Sequence, residues 1–201
     1  TADAGWDPDV LPALDNLWGC WALLAKARAA RAPLDLDLPE RQVILDDKGG
    51  IAEIRVRERL DAHRLIEDYM IAANVAAAKA LEAKKSPVMY RIHEAPIREK
   101  LVSLKDYLDT FDQSFALGQV ITPAVFNRLL DGFSGDDRLP EIMEAILRSQ
   151  TQAYYGPANA GHFGLALGSY AHFTSPIRRY ADLIVHRALV DSFRLEVAGK
   201  M

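Results

Sequence analysis

The chain contains a single cysteine, Cys20, which excludes an internal disulfide and the paired-cysteine zinc patterns. No stretch approaches the roughly 18 apolar residues of a membrane span, and no signal peptide opens the sequence. These absences predict a reducing, cytoplasmic setting. Positive charge is not in excess: 24 Lys and Arg face 28 Asp and Glu, a formal −4, so the chain as a whole does not advertise nucleic-acid binding. GxSxG and P-loop patterns are missing. His162 and His172 stand ten apart with no carboxylate at metal-ligand spacing, which argues against a zinc site. Internal repeats and low-complexity linkers are also lacking, and no boundary divides the 201 residues. The first residue is Thr1 rather than methionine, so the chain is read as a fragment of something longer.

What is present is the composition of an ordinary globular domain, half hydrophobic and about a quarter charged. The charge is uneven. Asp3, Asp7, Asp9 and Asp15 make the lead acidic, whereas the segment from Lys84 to Lys105 has six basic residues against Glu94 and Glu99. Such a run is ordinarily a solvated face. Leu14, Leu17, Trp18, Trp21 and Leu24 recur at helical spacing within a helix from Leu11 to Ala30, in which Cys20 reads as a core residue. Two short apolar runs around Asp46-Asp47-Lys48-Gly49-Gly50 predict a β-hairpin. An alanine-rich helix follows from Ala62 to Ala83, then a strand over 88–92. Further helices are expected over Pro96 to Leu108, Pro123 to Leu130, Pro140 to Leu147 and Ser175 to about Val197. The fold class that follows is α+β, mostly helical with a minor antiparallel sheet.

Three places could carry chemistry. Glu67 and Asn74, seven apart, share one stripe of the long helix. Either they face water or a neighbouring element, or Glu67 accepts hydrogen bonds from hydroxyls such as those of a ribose. The stretch Gly161-His162-Phe163-Gly164 through Tyr170-Ala171-His172-Phe173 offers aromatic faces that could stack bases, although aromatics in such loops are often core. Finally, SPIRR reads as a helix start with Ser175 as cap and Pro176 as first helical residue. Arg178 and Arg179 would then lie at the positive end of the helix dipole, a disfavoured position unless an anion sits there. A bidentate arginine–phosphate contact would resolve the conflict, as would acidic partners elsewhere in the fold. Asp182 and His186 follow Arg178 at intervals of four, so Asp182 could orient Arg178 or neutralise it. Clustered carboxylates for a divalent metal are not evident: Asp46-Asp47 and Asp136-Asp137 read as turns and loops.

GHFGLALGSYAHFTSPIRRYADLIVHRAL resembles the C-terminal signature of the RNB (RNase II/RNase R) family of exoribonucleases, with the bacterial RNase R branch nearest in pattern. RLIEDYMIAANVAAAKAL is similar to that family's central helix, and LWGCWALLAKARAARAPLDLDLPE to the segment before it. The resemblance implies processive 3′-to-5′ hydrolysis of single-stranded RNA to nucleoside 5′-monophosphates with Mg²⁺. It implies that Arg178 acts at the scissile phosphate and that Glu67 meets the 3′-terminal nucleotide. Arg179, Thr174, Ser175, Tyr170 and His162 are implied in RNA contact. The family's metal-binding aspartates belong to an upstream motif that no segment here matches. The chain thus resembles the C-terminal two-thirds of an RNB domain, without its metal ligands and without flanking cold-shock/OB or S1 domains, and it is expected to be inactive alone. A non-catalytic RNA-binding relative is the alternative, and self-association through surface left uncovered is a further expectation. Where the family often has an aromatic in LDFD, this chain has Leu36, which would weaken any base stacking there.

Overall fold

The computed structural model describes residues 10–38 and 41–195. The acidic residues Asp3, Asp7 and Asp9 lie outside them. In chain order the elements are α1 (Val10–Arg31), β1 (Arg41–Leu45), β2 (Ile51–Val56), α2 (Asp61–Ala83), β3 (Tyr90–Ile92), α3 (Arg98–Asp109), α4 (Pro123–Asp131), α5 (Leu139–Ser149), β4 (Tyr154–Gly156) and α6 (Tyr180–Phe193). The α+β expectation holds, with two separate two-stranded antiparallel sheets, β1–β2 and β3–β4.

Apolar burial gathers in two places. Leu101, Leu104 and Leu108 of α3 meet Val125, Phe126, Leu129 and Leu130 of α4 and Ile142 and Ile146 of α5. Phe126 is fully buried, offset over Phe115 with ring centroids 6.0 Å apart. The second core joins Ala77, Ala78 and Leu81 of α2 to Tyr90 and Ile92 of β3 and Val185 of α6. Alanines on α2 permit close approach there, because a methyl group keeps the neighbouring backbone within packing distance.

The hairpin forms at the expected turn. Asp46 Oδ1 accepts from the Lys48 and Gly50 N–H groups at 2.9 and 2.7 Å, and Gly49 takes a φ of +80°, which suits glycine. The pairing register Val43↔Ile54 and Arg41↔Val56 puts Val43, Ile54 and Val56 on one face, and all three are exposed. Helix α1 likewise has no buried residue. Cys20 is exposed, contrary to its reading as a core residue. Periodicity reveals an apolar stripe, but not whether another element covers it. Helix α1 is tied to α2 by polar contacts instead: Trp21 Nε1 donates to Asp68 at 2.9 Å, and the Tyr69 hydroxyl donates to Leu17 O at 2.9 Å.

The last helix departs most from expectation. Residues 175–178 form a separate tight turn, with the Arg178 and Arg179 N–H groups donating to Ser175 O at 3.3 and 3.1 Å. Arg179 then becomes extended, φ −130° and ψ 116°, and α6 begins only at Tyr180. It ends at Phe193, where Arg194 turns left-handed at φ 51°, so residues 194 and 195 are not helical; the remainder of the expected span lies outside the described residues.

Removing a ring that fills a core costs about 3–5 kcal/mol. Phe126→Ala is therefore expected to lower the urea midpoint strongly. Val120→Ala, at a site 84% exposed, should leave the midpoint nearly unchanged.

Candidate functional site

The glycine-rich segment before α6 is laid along β3 by backbone pairing. Arg91 N–H donates to Tyr170 O at 2.9 Å, His93 N–H to Gly161 O at 3.1 Å, and Phe163 N–H to His93 O at 2.6 Å. Gly161 has a φ of +76°, and a Cβ there would come within 3.0 Å of Leu167 O, so a side chain would disrupt this strap. The strap places His162 edge-on to Tyr170, with centroids 5.2 Å apart, and Tyr170 edge-on to His172 at 5.6 Å.

The next residues are fixed from behind by α2 and α6. Asn74, only 2% exposed, accepts through Oδ1 from the Phe173 and Thr174 N–H groups at 2.8 and 3.2 Å. Its Nδ2 donates to the Tyr170 hydroxyl at 2.9 Å. Asp182, fully buried, accepts the Ser175 N–H at 2.7 Å and both Nε and Nη2 of Arg179, at 2.8 and 2.9 Å. His186 Nε2 donates to Phe173 O at 2.8 Å while its ring stacks on Phe173 with centroids 4.3 Å apart. Arg179, not Arg178, is thus the partner of Asp182. Arg178 stands exposed, and its side chain makes no hydrogen bond or ion pair among the described residues. The Thr174 hydroxyl oxygen is buried and equally unpartnered among them.

Electrostatics sharpen this picture. Burial opposes ionisation of Asp182, but the bonds from Arg179 and Ser175 outweigh it and hold the carboxyl below its ordinary value. Burial, reinforced by Arg179, pushes His172 down to about 4. Burial and the neighbouring His93 push His162 down to about 4 as well. Both imidazoles are neutral near pH 7, and the fixed positive charge resides on the arginines. His172 Nδ1 is hydrogen-bonded to the Tyr155 hydroxyl at 2.7 Å, and Arg91 lies over the Tyr155 ring.

Of the residues singled out in the sequence, Tyr170, Thr174, Ser175 and Arg179 converge on this clamp, His162 adjoins it and Arg178 projects from it. Glu67 is elsewhere. Although it shares a stripe with Asn74, it is exposed and pairs with Arg59, which also approaches Asp37 at 3.9 Å. Glu67 lines a cleft of about 470 Å³ together with Arg28, Arg31, Arg59, Arg64 and Asn127. The arginines of that cleft escaped the sequence reading, because they come from α1, the segment after β2 and α2, with no local spacing in common. Leu36 packs against the α3–α4–α5 core.

The RNB domain model matches residues 4–194, nearly the whole chain. The chain belongs to the RNB domain family. Ribonuclease R of Aquifex aeolicus is 40% identical over 189 residues, covering 94% of this chain and 27% of that protein. Ribonuclease R of Escherichia coli (strain K12) is 40% identical over 176 residues, 88% of this chain and 22% of that protein. This RNB domain therefore spans about a quarter of the length of those relatives. Among solved structures, Mycoplasma genitalium RNase R in complex with ribose-methylated single-stranded RNA superposes with a TM-score of 0.84 at 28% identity, covering 94% of this chain and 30% of that one. Yeast Ssd1, a pseudonuclease, shares the fold at a TM-score of 0.59 and 24% identity, over 71% of this chain and 18% of that one.

A metal would need several carboxylate or imidazole ligands converging on one point. Among the described residues no group of three or more His, Cys, Asp or Glu could hold one. The Mg²⁺ implied by the family resemblance does not fit the donors among the described residues.

His162 and His172 generate a pH prediction. Between their ordinary value of 6.5 and about 4 the unfolded chain binds protons that the folded chain refuses. Stability must therefore fall as pH falls through that window. The urea midpoint is expected to drop from about pH 7 to about pH 5, and His172→Gln should flatten that slope. An unchanged slope in the variant would show that His172 titrates normally in the fold.

Proposed function

We propose that this RNB domain is part of a processive, Mg²⁺-dependent 3′-to-5′ exoribonuclease that hydrolyses single-stranded RNA to nucleoside 5′-monophosphates. The observation that carries the reading is Arg178: an exposed guanidinium without a carboxylate among the described residues, on a loop whose backbone is held from behind by Asn74, Asp182 and His186. An unpaired arginine in that setting is suited to a phosphate, which it can meet with two parallel hydrogen bonds. When the P–O3′ bond breaks, negative charge grows on the phosphoryl oxygens, and Arg178 stabilises it. Arg179, neutralised by Asp182, contributes position more than net charge. His162, Thr174 and Ser175 form the wall against which nucleotides lie, with Tyr170 buried behind them, and Glu67 accepts from the ribose hydroxyls of the 3′-terminal nucleotide once Arg59 yields. The relatives named Ribonuclease R, and an RNase R solved with RNA, support RNA as the partner.

In this reading the residues form the C-terminal part of the catalytic domain, and the metal-binding aspartates lie in a segment outside the chain. The exposed apolar face of β1–β2 would pack against other parts of the parent protein, and the isolated chain would satisfy it by self-association. A cytoplasmic location belongs to the same proposal. A second reading is an RNA binder without catalysis, in which no metal ligand set completes the site.

The 201-residue chain alone is expected to leave single-stranded RNA intact in the presence of Mg²⁺, as followed on a denaturing gel. Degradation that disappears with Arg178→Ala would overturn the requirement for outside residues. In the intact parent, Arg178→Ala is expected to lower kcat by about 10²–10³ with little change in KM, because the interaction strengthens in the transition state. Equal losses in both would make Arg178 a plain phosphate anchor, and an intact parent that binds but never cleaves RNA would establish the second reading.

A further inference from the structure

The Arg178 side chain is not itself fixed by any hydrogen bond or ion pair among the described residues. Its backbone is fixed instead. The turn over 175–178 hangs from three points: Phe173 and Thr174 N–H on Asn74, Ser175 N–H on Asp182, and Phe173 O on His186. Two of these anchors belong to α6, which immediately follows the turn and is itself packed on α2 through Val185. Asn74 is different. It belongs to α2, about a hundred residues earlier in the chain, and α2 is also the helix that carries Glu67. Seven residues separate Glu67 from Asn74, about 10 Å along the axis of a rigid helix.

We propose that Asn74 is a positioning residue: its side-chain amide pins the 173–174 backbone to α2 and thereby sets the distance between Arg178 and Glu67, without itself touching RNA. The chemistry suits the task. A primary amide accepts from two adjacent N–H groups with one oxygen while its nitrogen is occupied by Tyr170, so the side chain cannot rotate without breaking all three bonds. Its burial leaves no water to replace them. The inference rests on Arg178 and Glu67 acting on the same RNA end, as proposed above.

The test is a double-mutant cycle in the intact parent, with hydrogen exchange on the 201-residue chain beside it. Asn74→Ala should lower kcat by about 10–100-fold with KM within about threefold, and should cost nothing more in the Arg178→Ala background. Asn74→Asp keeps an acceptor for both N–H groups, and the Tyr170 hydroxyl can turn to donate to it, so this variant should recover most of the loss. Exchange at the Phe173 and Thr174 amides should accelerate in Asn74→Ala while the amides of α6 around Val185 stay protected. Should Asn74→Ala unfold the chain, Asn74→Ser, too short to span both groups, gives the same readings. A loss that persists undiminished on top of Arg178→Ala, or a loss in KM alone, would overturn the proposal. So would loosened amides with an unchanged kcat. If Arg178→Ala itself leaves kcat intact, the reading of Arg178 fails, and unaltered protection of Phe173 and Thr174 in the Asn74 variants would separately show that no clamp exists.

Discussion

The site depends on the requirement that a polar group taken out of water find its partners inside the protein. Asn74 and Asp182 are buried where α2 and α6 meet, and leaving either unpaired would cost on the order of 1–3 kcal/mol or more. The groups that satisfy them are the N–H donors of Phe173, Thr174 and Ser175 and the guanidinium of Arg179. One consequence is conformational: the chain cannot run straight from Ser175 into a helix, because Asp182 draws Ser175 and Arg179 together and forces an extended residue between turn and helix. The other is electrostatic. With Asp182 committed to Arg179, Arg178 is left with its full charge at the surface.

Helix α2 joins this clamp to the rest of the molecule. Its C-terminal half is packed through Ala77, Ala78 and Leu81 against β3 and α6, which makes it the rigid member of the second core. Toward its N-terminus that packing gives way. There α1 covers the side of Asp68 and Tyr69 through hydrogen bonds, while the side of Glu67 opens onto a cleft lined by arginines. One continuous helix therefore presents a carboxylate to solvent at one level and a buried amide two turns later.

Much of this organisation was legible in the sequence, and the parts that were not share a physical cause. Helical periodicity located α1 to α5 to within about two residues at most ends, and the Asp-Asp-Lys-Gly-Gly turn located the hairpin. The SPIRR stretch was recognisable as a candidate anion site from two arginines at an expected helix start. Its local conformation was not, because a Ser-Pro helix start is favourable in isolation and loses only to Asp182, a tertiary competitor seven residues on. The exposure of Cys20 was invisible for a similar reason: an amphipathic stripe on α1 reports what could be buried, not what is. Glu67 and Asn74 sit at equivalent positions on a helical wheel, yet only Asn74 is buried, since burial depends on which neighbours lie at each level. The pairing of Glu67 with Arg59 and of Asn74 with residues about a hundred positions away carries no local signal at all.

The distribution of proton affinities defines what this wall of the site can do. A general base works best with a pKa near the operating pH. His162 and His172 are held near 4, so each is a poor proton acceptor at neutrality. The Asp182 carboxylate is engaged by a guanidinium and a backbone amide, and burial raises the Tyr170 phenol above its ordinary value. None of these groups is poised to take a proton from an attacking water, whereas Arg178 offers an exposed guanidinium with no carboxylate partner among the described residues. On the proposed function, charge stabilisation and nucleophile activation would therefore belong to different surfaces. On that reading this surface supplies the first, and the loop carrying Arg178 would have to be held still against the RNA. It would account for two buried polar side chains, Asn74 and Asp182, being committed to the backbone of residues 173–175.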